Sequence, residues 1–362
     1  MKLDKPKIIA FHLPQFHTIP ENDKWWGKGF TEWTNVKKAS PLFKEHYQPR
    51  IPFKNNYYNL LNPKIREWQA KLAKKYGIYG FCYYHYWFKG KKLLEKPLEE
   101  ILKLKSPDIH FCFSWANESW SRTWYGGKKE NLIKQYYGNK QDWKEHFEYL
   151  LKFFKDKRYI KVNNKPILLI YKPSLIPQLN FMIKYWNSLA IKEGFSGMHI
   201  IETLTVTQSN SSSELSEGIV FYEPGYTLHN TSFYRELLIK IKSRMNSHFK
   251  SNYFLNRMNY DRIYKDILKR NLNKFKKKIY LGAFVDYDDT PRRKHLGYLF
   301  NGATPEKLKN YLTLLLKKSK EMNSEFLFFT AWNEWGEGAY LEPDKKNKLN
   351  FLKAIKNAKK GV

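Results

Sequence analysis

Phe326-Leu327-Phe328-Phe329-Thr330-Ala331-Trp332-Asn333-Glu334-Trp335-Gly336-Glu337-Gly338 joins an apolar run to a dense cluster of chemistry. The run reads as a fully buried strand. Glu334 and Glu337 stand three apart. On a continuing strand they would point to opposite faces, and on a helix they would share one. The glycines favour a loop that leaves the strand end and turns both carboxylates into one pocket. Paired carboxylates flanked by aromatic rings suit a sugar site. One group delivers a proton to a glycosidic oxygen, and the other supports charge at the sugar. A lone Glu-x-x-Glu is more often an acidic first turn of a helix. The tryptophans, and the position late in an alternating pattern, outweigh that reading here.

Working outward, the same unit recurs. Buried strands are predicted at residues 7–13, 78–84, 109–115, 166–171, 198–204, 218–222, 278–285 and 325–331. Helices are predicted at 62–76, 93–104, 141–154, 177–192, 305–319 and 349–359, the first with Asn62 as N-cap and Pro63 at its first position. Eight strands alternating with helices give an α/β chain, a (β/α)8 TIM barrel, over residues 1–362 as one domain. An open doubly wound sheet is the rival, but no Gly-x-Gly-x-x-Gly follows the first strand and no P-loop is present. Polar and aromatic clusters follow strands one, two, three, six, seven and eight, and in a barrel those ends open on one face. Residues 20–52 read as a long functional loop. The stretch 232–278 is basic and helical, an insertion before the seventh strand. Residues 126 and 127 are a glycine pair after the third strand.

The 362 residues include 65 basic and 34 acidic side chains, a net charge of +31, and aromatics make up 17%. The lysines are spread along the chain, so a general lysine bias accounts for the charge better than nucleic-acid binding, and no nucleic acid is expected. An anionic membrane surface is the second reading of the charge. Cys82 and Cys112 sit in apolar runs and read as buried thiols. No apolar leader and no run of 18 apolar residues is present, so the expected compartment is the cytoplasm, or the inner face of the plasma membrane as a peripheral protein.

The strand ends supply the candidates. Glu118 follows Trp115 and Asn117 after the third strand, where it can bind sugar hydroxyls or hold charge near the reacting carbon. His12, His17 and His85 match no compact zinc spacing and are expected to hydrogen-bond rather than bind metal, so no metal and no cofactor are expected. Glu32 and Trp33 lie in the first long loop and are candidate lid residues. Gln15, Tyr84, Trp87, Tyr171, Glu223, Trp332, Asn333 and Trp335 complete the candidate pocket. Asp286, Asp288 and Asp289 lack the ligand pattern of a calcium loop, and a turn pairing with Arg292 or Arg293 is expected instead.

Residues 10–17 (AFHLPQFH), 19–23 (IPEND), 25–36 (WWGKGFTEWTNV) and 332–338 (WNEWGEG) resemble the WbsX family, glycoside hydrolase family 99-like proteins found with bacterial O-antigen and capsule biosynthesis. Residues 80–88 (GFCYYHYWF) and 115–118 (WANE) fit the same family. The resemblance spans nearly the whole chain except 232–278. It implies a (β/α)8 barrel acting on glycosidic bonds of an oligosaccharide or lipid-linked glycan. In family 99 endo-α-mannosidases an Asn-Glu-Trp-His-Glu motif supplies both catalytic carboxylates. The first deprotonates the sugar 2-hydroxyl, which attacks the anomeric carbon to give a 1,2-anhydro sugar, and the second is general acid, then base. Those positions are Glu334 and Glu337, and Gly336 stands where the hydrolases carry His. WbsX proteins are commonly called glycosyltransferases, so transfer and endo-type hydrolysis are both implied. A non-catalytic glycan-binding barrel is the alternative from a different class.

Overall fold

The computed structural model describes residues 5–121, 130–230, 233–249 and 252–362. The glycine pair Gly126-Gly127 and Ser232 lie outside them. Eight strands make one sheet: β1 (Lys7–His12), β2 (Ile78–Phe88), β3 (His110–Trp115), β4 (Lys165–Ile170), β5 (His199–Leu204), β6 (Gly218–Phe221), β7 (Lys278–Phe284) and β8 (Phe326–Thr330). Each pairs in parallel with the next, and β1 pairs with both β2 and β8, which closes the barrel. Both faces of such a sheet are covered, which is why the strands read as apolar runs rather than as alternating ones.

Helices α1 (Pro63–Lys75), α2 (Lys96–Leu104), α3 (Lys140–Phe154) and α4 (Leu179–Lys192) follow the first four strands. The cap of α1 forms as its sequence demands: the Asn62 side chain accepts from the Lys64 amide at 3.0 Å, and Pro63 opens the helix. Between β6 and β7 lie α5 (Phe233–Phe249) and α6 (Tyr260–Lys269). Helices α7 (Pro305–Glu321) and α8 (Asn350–Lys360) follow β7 and β8.

Three local expectations change. Residues 20–52 are not one loop; they contain helices Pro20–Trp26 and Glu32–Lys38. Strand β2 runs on to Phe88 and pairs antiparallel with Lys91–Leu93, so the helix expected from residue 93 begins at Lys96. Within the basic stretch, α6 buries Tyr260, Ile263, Tyr264 and Ile267 and serves as the crossover helix into β7. Among the described residues of that stretch, α5, the turn after it and Asn256–Asn259, which pairs with Tyr298–Asn301, stand outside the barrel plan. The β5–β6 connection, residues 205–217, has no helix. Its serines instead wrap buried Glu202, which accepts from the Ser211 and Ser216 hydroxyls and the Ser212 and Ser213 amides.

Asn333 stitches the exit of β8 to the exit of β1. Its Oδ1 accepts from the Leu13 amide at 2.7 Å, and its Nδ2 donates to the Leu13 carbonyl at 3.0 Å. One step earlier, the Trp332 amide donates to the Phe11 carbonyl at 2.7 Å. Both Asn333 bonds are buried, so losing them leaves a donor and an acceptor without water. Asn333→Ala is expected to cost about 2 kcal/mol of stability. Denaturant unfolding checks this, and an unchanged midpoint would show that the joint carries no load.

Candidate active site

Side-chain alternation decides which strand-end residues reach the cavity. Phe11 points inward, against Tyr84, Tyr222 and Phe328 at centroid distances of 5.8, 5.2 and 5.8 Å. Leu13 and Gln15 follow in the same phase and line a cavity of about 390 Å³, as do Tyr84 and Tyr86 on β2. Ala116, Glu118, Tyr171, Val206, Tyr222, Tyr287, Asp289, Arg292, Arg293, Glu334 and Glu337 complete its wall. The cavity therefore opens at the C-terminal ends of the strands, where barrel chemistry is built. Its floor is phenolic: the Tyr84 and Tyr222 hydroxyls lie 2.7 Å apart, and Tyr171 meets Tyr222 edge-on at 5.4 Å. Burial pushes all three phenols well above their ordinary range, so they act as hydrogen-bonding hydroxyls.

One guanidinium organises the acids. Arg292 Nη1 donates to Glu337 Oε1 at 2.5 Å, and Nη2 donates to Glu334 Oε2 at 3.2 Å and to Glu32 Oε1 at 2.7 Å. Arg292 Nε also reaches Glu32 Oε1 at 3.2 Å. Burial, together with the Glu337 and Glu32 charges, pushes the Glu334 carboxyl up to about 8 against the pull of Arg292. Burial also raises Glu337, with Arg292 opposing. The pair thus holds a proton at neutral pH. Glu118 is raised by burial, partly offset by Lys172. Asp289 is pushed up to about 7 by burial, with Arg293 opposing.

Another buried carboxyl group, Glu342, holds the motif from behind. Glu342 accepts from Trp335 Nε1 at 2.7 Å, Gln69 Nε2 at 2.7 Å and the Tyr58 hydroxyl at 2.8 Å. Trp335 also stacks on Tyr340 at 3.7 Å and meets Trp33, whose Nε1 donates to the Tyr58 carbonyl. These tryptophans fix the loop and do not line the cavity. Trp332 packs on Phe81 at 5.1 Å.

Alternation sends several candidates the other way. His12, between inward Phe11 and Leu13, faces α1 and meets Gln69 Oε1 at 3.2 Å. His85 faces α3, with its Nε2 2.9 Å from that of His146, while Trp87 stacks on the same imidazole and Trp115 meets it edge-on. Burial pushes His12 and His85 down to about 3, so both are neutral. His17 Nδ1 donates to the Pro14 carbonyl at 3.1 Å. Asn117 clamps the backbone of Lys172 through both its amide atoms, at 2.7 and 2.8 Å. Glu223 pairs with Arg270 and accepts from the Thr227 amide. Of the aspartates after β7, Asp289 pairs with Arg293 at 3.4 Å, Asp286 with Arg50 at 2.9 Å and Asp288 with His46 at 2.9 Å. Arg292 turns to the glutamates instead. Among the described residues, no three His, Cys, Asp or Glu side chains group as ligands for a metal ion.

The sequence matches the family described as Glycosyltransferase WbsX over residues 8–355. The chain belongs to the WbsX family. It is 32% identical over 354 residues to the WxcX protein of Xanthomonas campestris pv. campestris, in each of two strains. That match covers 97% of this chain and 49% of the relative, so the chain spans about half the length of the curated relatives it matches. Among solved structures, a glycoside hydrolase-like protein superposes with a TM-score of 0.60 at 12% identity, covering 99% of this chain and 95% of the other. A glycoside hydrolase family 99 endo-α-mannosidase from Bacteroides thetaiotaomicron, solved with bis-tris-propane, superposes with a TM-score of 0.56 at 14% identity, covering 97% and 95%. At that identity the likeness is one of fold.

Within this WbsX chain, Gly336 has a steric reason. A Cβ there would lie 1.9 Å from Glu32 Oε1 and 2.8 Å from Arg292 Nε. The Glu32 carboxylate thus occupies the space that a side chain at position 336 would need, and among the described residues its Oε2 has no hydrogen-bond partner. Glu32 is buried behind Arg292, so it supports the site from below rather than covering it as a lid. Gly336→Ala is expected to cost about 2 kcal/mol by overpacking. In a Glu32→Ala background the cost should shrink by at least about 1 kcal/mol, because the two positions compete for one volume. Thermal unfolding of the two single variants and the double variant checks this, and strict additivity would contradict it.

The raised Glu334 also sets a pH dependence. Between the ordinary carboxyl value of 4.5 and about 8, the folded chain holds a proton that the unfolded chain releases. Stability therefore falls as pH rises through that window. Glu334→Gln removes the group, so its stability relative to the parent should grow from pH 5 to pH 8, the span set by those two values. A difference constant with pH, read from melting temperatures, would contradict the assignment.

Proposed function

We propose that this chain transfers glycosyl groups at a glycosidic bond of a bacterial surface polysaccharide, with Glu334 and Glu337 as its acid–base pair. The observation that carries this reading is the convergence of both carboxylates on Arg292 at the rim of a tyrosine-lined cavity. Phenol rings and hydroxyls there suit a sugar, which offers apolar faces and many hydroxyls. The substrate is an oligosaccharide or lipid-linked glycan of the kind that membership of the WbsX family suggests.

The chemistry follows from the shared proton. One carboxylate takes the proton of the sugar 2-hydroxyl, and O2 attacks the anomeric carbon. The other gives its proton to the departing glycosidic oxygen. The resulting 1,2-anhydro sugar is opened at the anomeric carbon by an acceptor hydroxyl, whose proton returns to the carboxylate that had served as acid, while the C1–O2 bond breaks and the first carboxyl returns its proton to O2. A sugar hydroxyl as acceptor gives transfer, and water gives hydrolysis, the second reading favoured by the endo-α-mannosidase-like fold. The shorter bond of Arg292 to Glu337 favours the ionised form there and leaves the proton on Glu334. The order of roles in family 99 endo-α-mannosidases, carried onto Glu334 as base and Glu337 as acid, then requires the proton to cross the pair. Glu118, half-buried in the cavity wall, would accept from a sugar hydroxyl.

Glu334→Gln and Glu337→Gln are each expected to lower turnover by about 10³-fold or more, because each removes proton transfer while keeping shape. Glycan affinity should stay within about tenfold, since each Gln keeps a hydrogen bond. The assay uses oligosaccharides of the producing bacterium's own surface polysaccharide. Undiminished turnover in both variants would refute the assignment, and so would a parent protein that binds the glycan without turning it over.

A further inference from the structure

Helix α5 buries Ile239 and Asn246 and turns an apolar stripe the opposite way. At about 100° per residue, Tyr234, Leu237, Leu238 and Ile241 fall within one band about 100° wide, on the side of the helix facing away from Ile239 and Asn246. They are 78%, 44%, 58% and 45% exposed, far more than a core-facing stripe tolerates. Basic residues border the band: Lys240 and Arg244 on one side and Lys242 on the other. Across α5, four basic residues stand against the single acid Glu236. An apolar stripe rimmed by positive charge, on a helix already anchored to a folded domain, complements an anionic lipid surface: the apolar side chains enter the acyl boundary and the ammonium and guanidinium groups meet the headgroups. Among the described residues no helix is long and apolar enough to cross a membrane, so contact through α5 would be peripheral.

The helix is also placed where docking would matter. The Asn246 side chain donates to the His295 carbonyl at 3.1 Å, and α5 packs on residues Lys294–Leu296, directly after the cavity residues Arg292 and Arg293. A surface that holds α5 therefore lies beside the mouth of the cavity rather than at the closed end of the barrel. We propose that α5 docks this chain on an anionic leaflet through Tyr234, Leu237, Leu238 and Ile241, with Lys240, Lys242 and Arg244 on the headgroups. The proposal concerns binding alone and does not depend on the glycosyl chemistry above.

The test uses the whole chain and vesicles, not a deletion, because removing residues 232–278 would take the crossover helix α6 with it. Co-sedimentation is measured with vesicles of equal parts phosphatidylglycerol and phosphatidylcholine, and with phosphatidylcholine alone. Binding is expected to the first and not the second, and it should be lost at about 0.5 M salt, where screening is short-ranged. Leu237→Glu with Ile241→Glu, and separately Lys240→Glu with Arg244→Glu, should each lower partitioning at least about tenfold. These side chains are exposed, so melting temperatures should not move. Lys353→Glu with Lys356→Glu on α8 keeps the same charge change elsewhere and should leave binding unchanged. Equal loss in that control would mean diffuse attraction to a chain of charge +31 and would overturn the proposal. Equal binding to both vesicle types, or to neither, would overturn it too. So would a stripe variant that splits a dimer while the parent ignores vesicles, since α5 would then join two copies.

Discussion

Three carboxylates arrive at Arg292 from two separate parts of the chain, Glu32 from the first helical loop and Glu334 with Glu337 from the exit of β8. One positive charge cannot neutralise three negative ones in a buried site, and unbalanced buried charge is expensive. The relief available is to keep a proton on the Glu334 and Glu337 pair. That same constraint fixes the neighbouring geometry. Glu32 can reach Arg292 only because position 336 has no side chain, and the loop can hold its glutamates there only because Trp335 is tied to Glu342 and Asn333 to β1.

The barrel was legible because its strands are buried on both faces and its caps and turns follow local rules, as Asn62 and Pro63 show at α1. What local rules could not supply was the content of long connections. Residues 20–52 hold two seven-residue helices, each marginal alone, and the second packs on Trp335–Glu337 of the motif loop. In the same way, the basic stretch looked uniform by charge, yet α6 carries a buried stripe of tyrosine and isoleucine that makes it a barrel helix, while α5 shows its apolar stripe to solvent. Spacing of the apolar residues, not charge, distinguishes the two.

The site was legible at its carboxylates and less so around them. Gln15, Tyr84, Glu118 and Tyr171 do line the cavity beside Glu334 and Glu337. His12, His85, Trp87 and Trp115 do not, and the reason is parity: each is one residue out of phase with an inward neighbour, and the period of two was available in the sequence. Tyr86 could have been found by the same count. Arg292 could not, because its partners are 42, 45 and 260 residues away and only the closed barrel brings them together.

The most direct measurement is a crystal structure of the Glu337→Gln protein with the oligosaccharide proposed as its substrate bound. The expected result is a sugar seated on Tyr84, Tyr171 and Tyr222, with its 2-hydroxyl and glycosidic oxygen within hydrogen-bonding distance, about 2.6–3.2 Å, of the side chains at 334 and 337. A glycan bound away from both positions, with the Arg292 cluster undisturbed, would contradict the assignment of these two carboxylates to the chemistry.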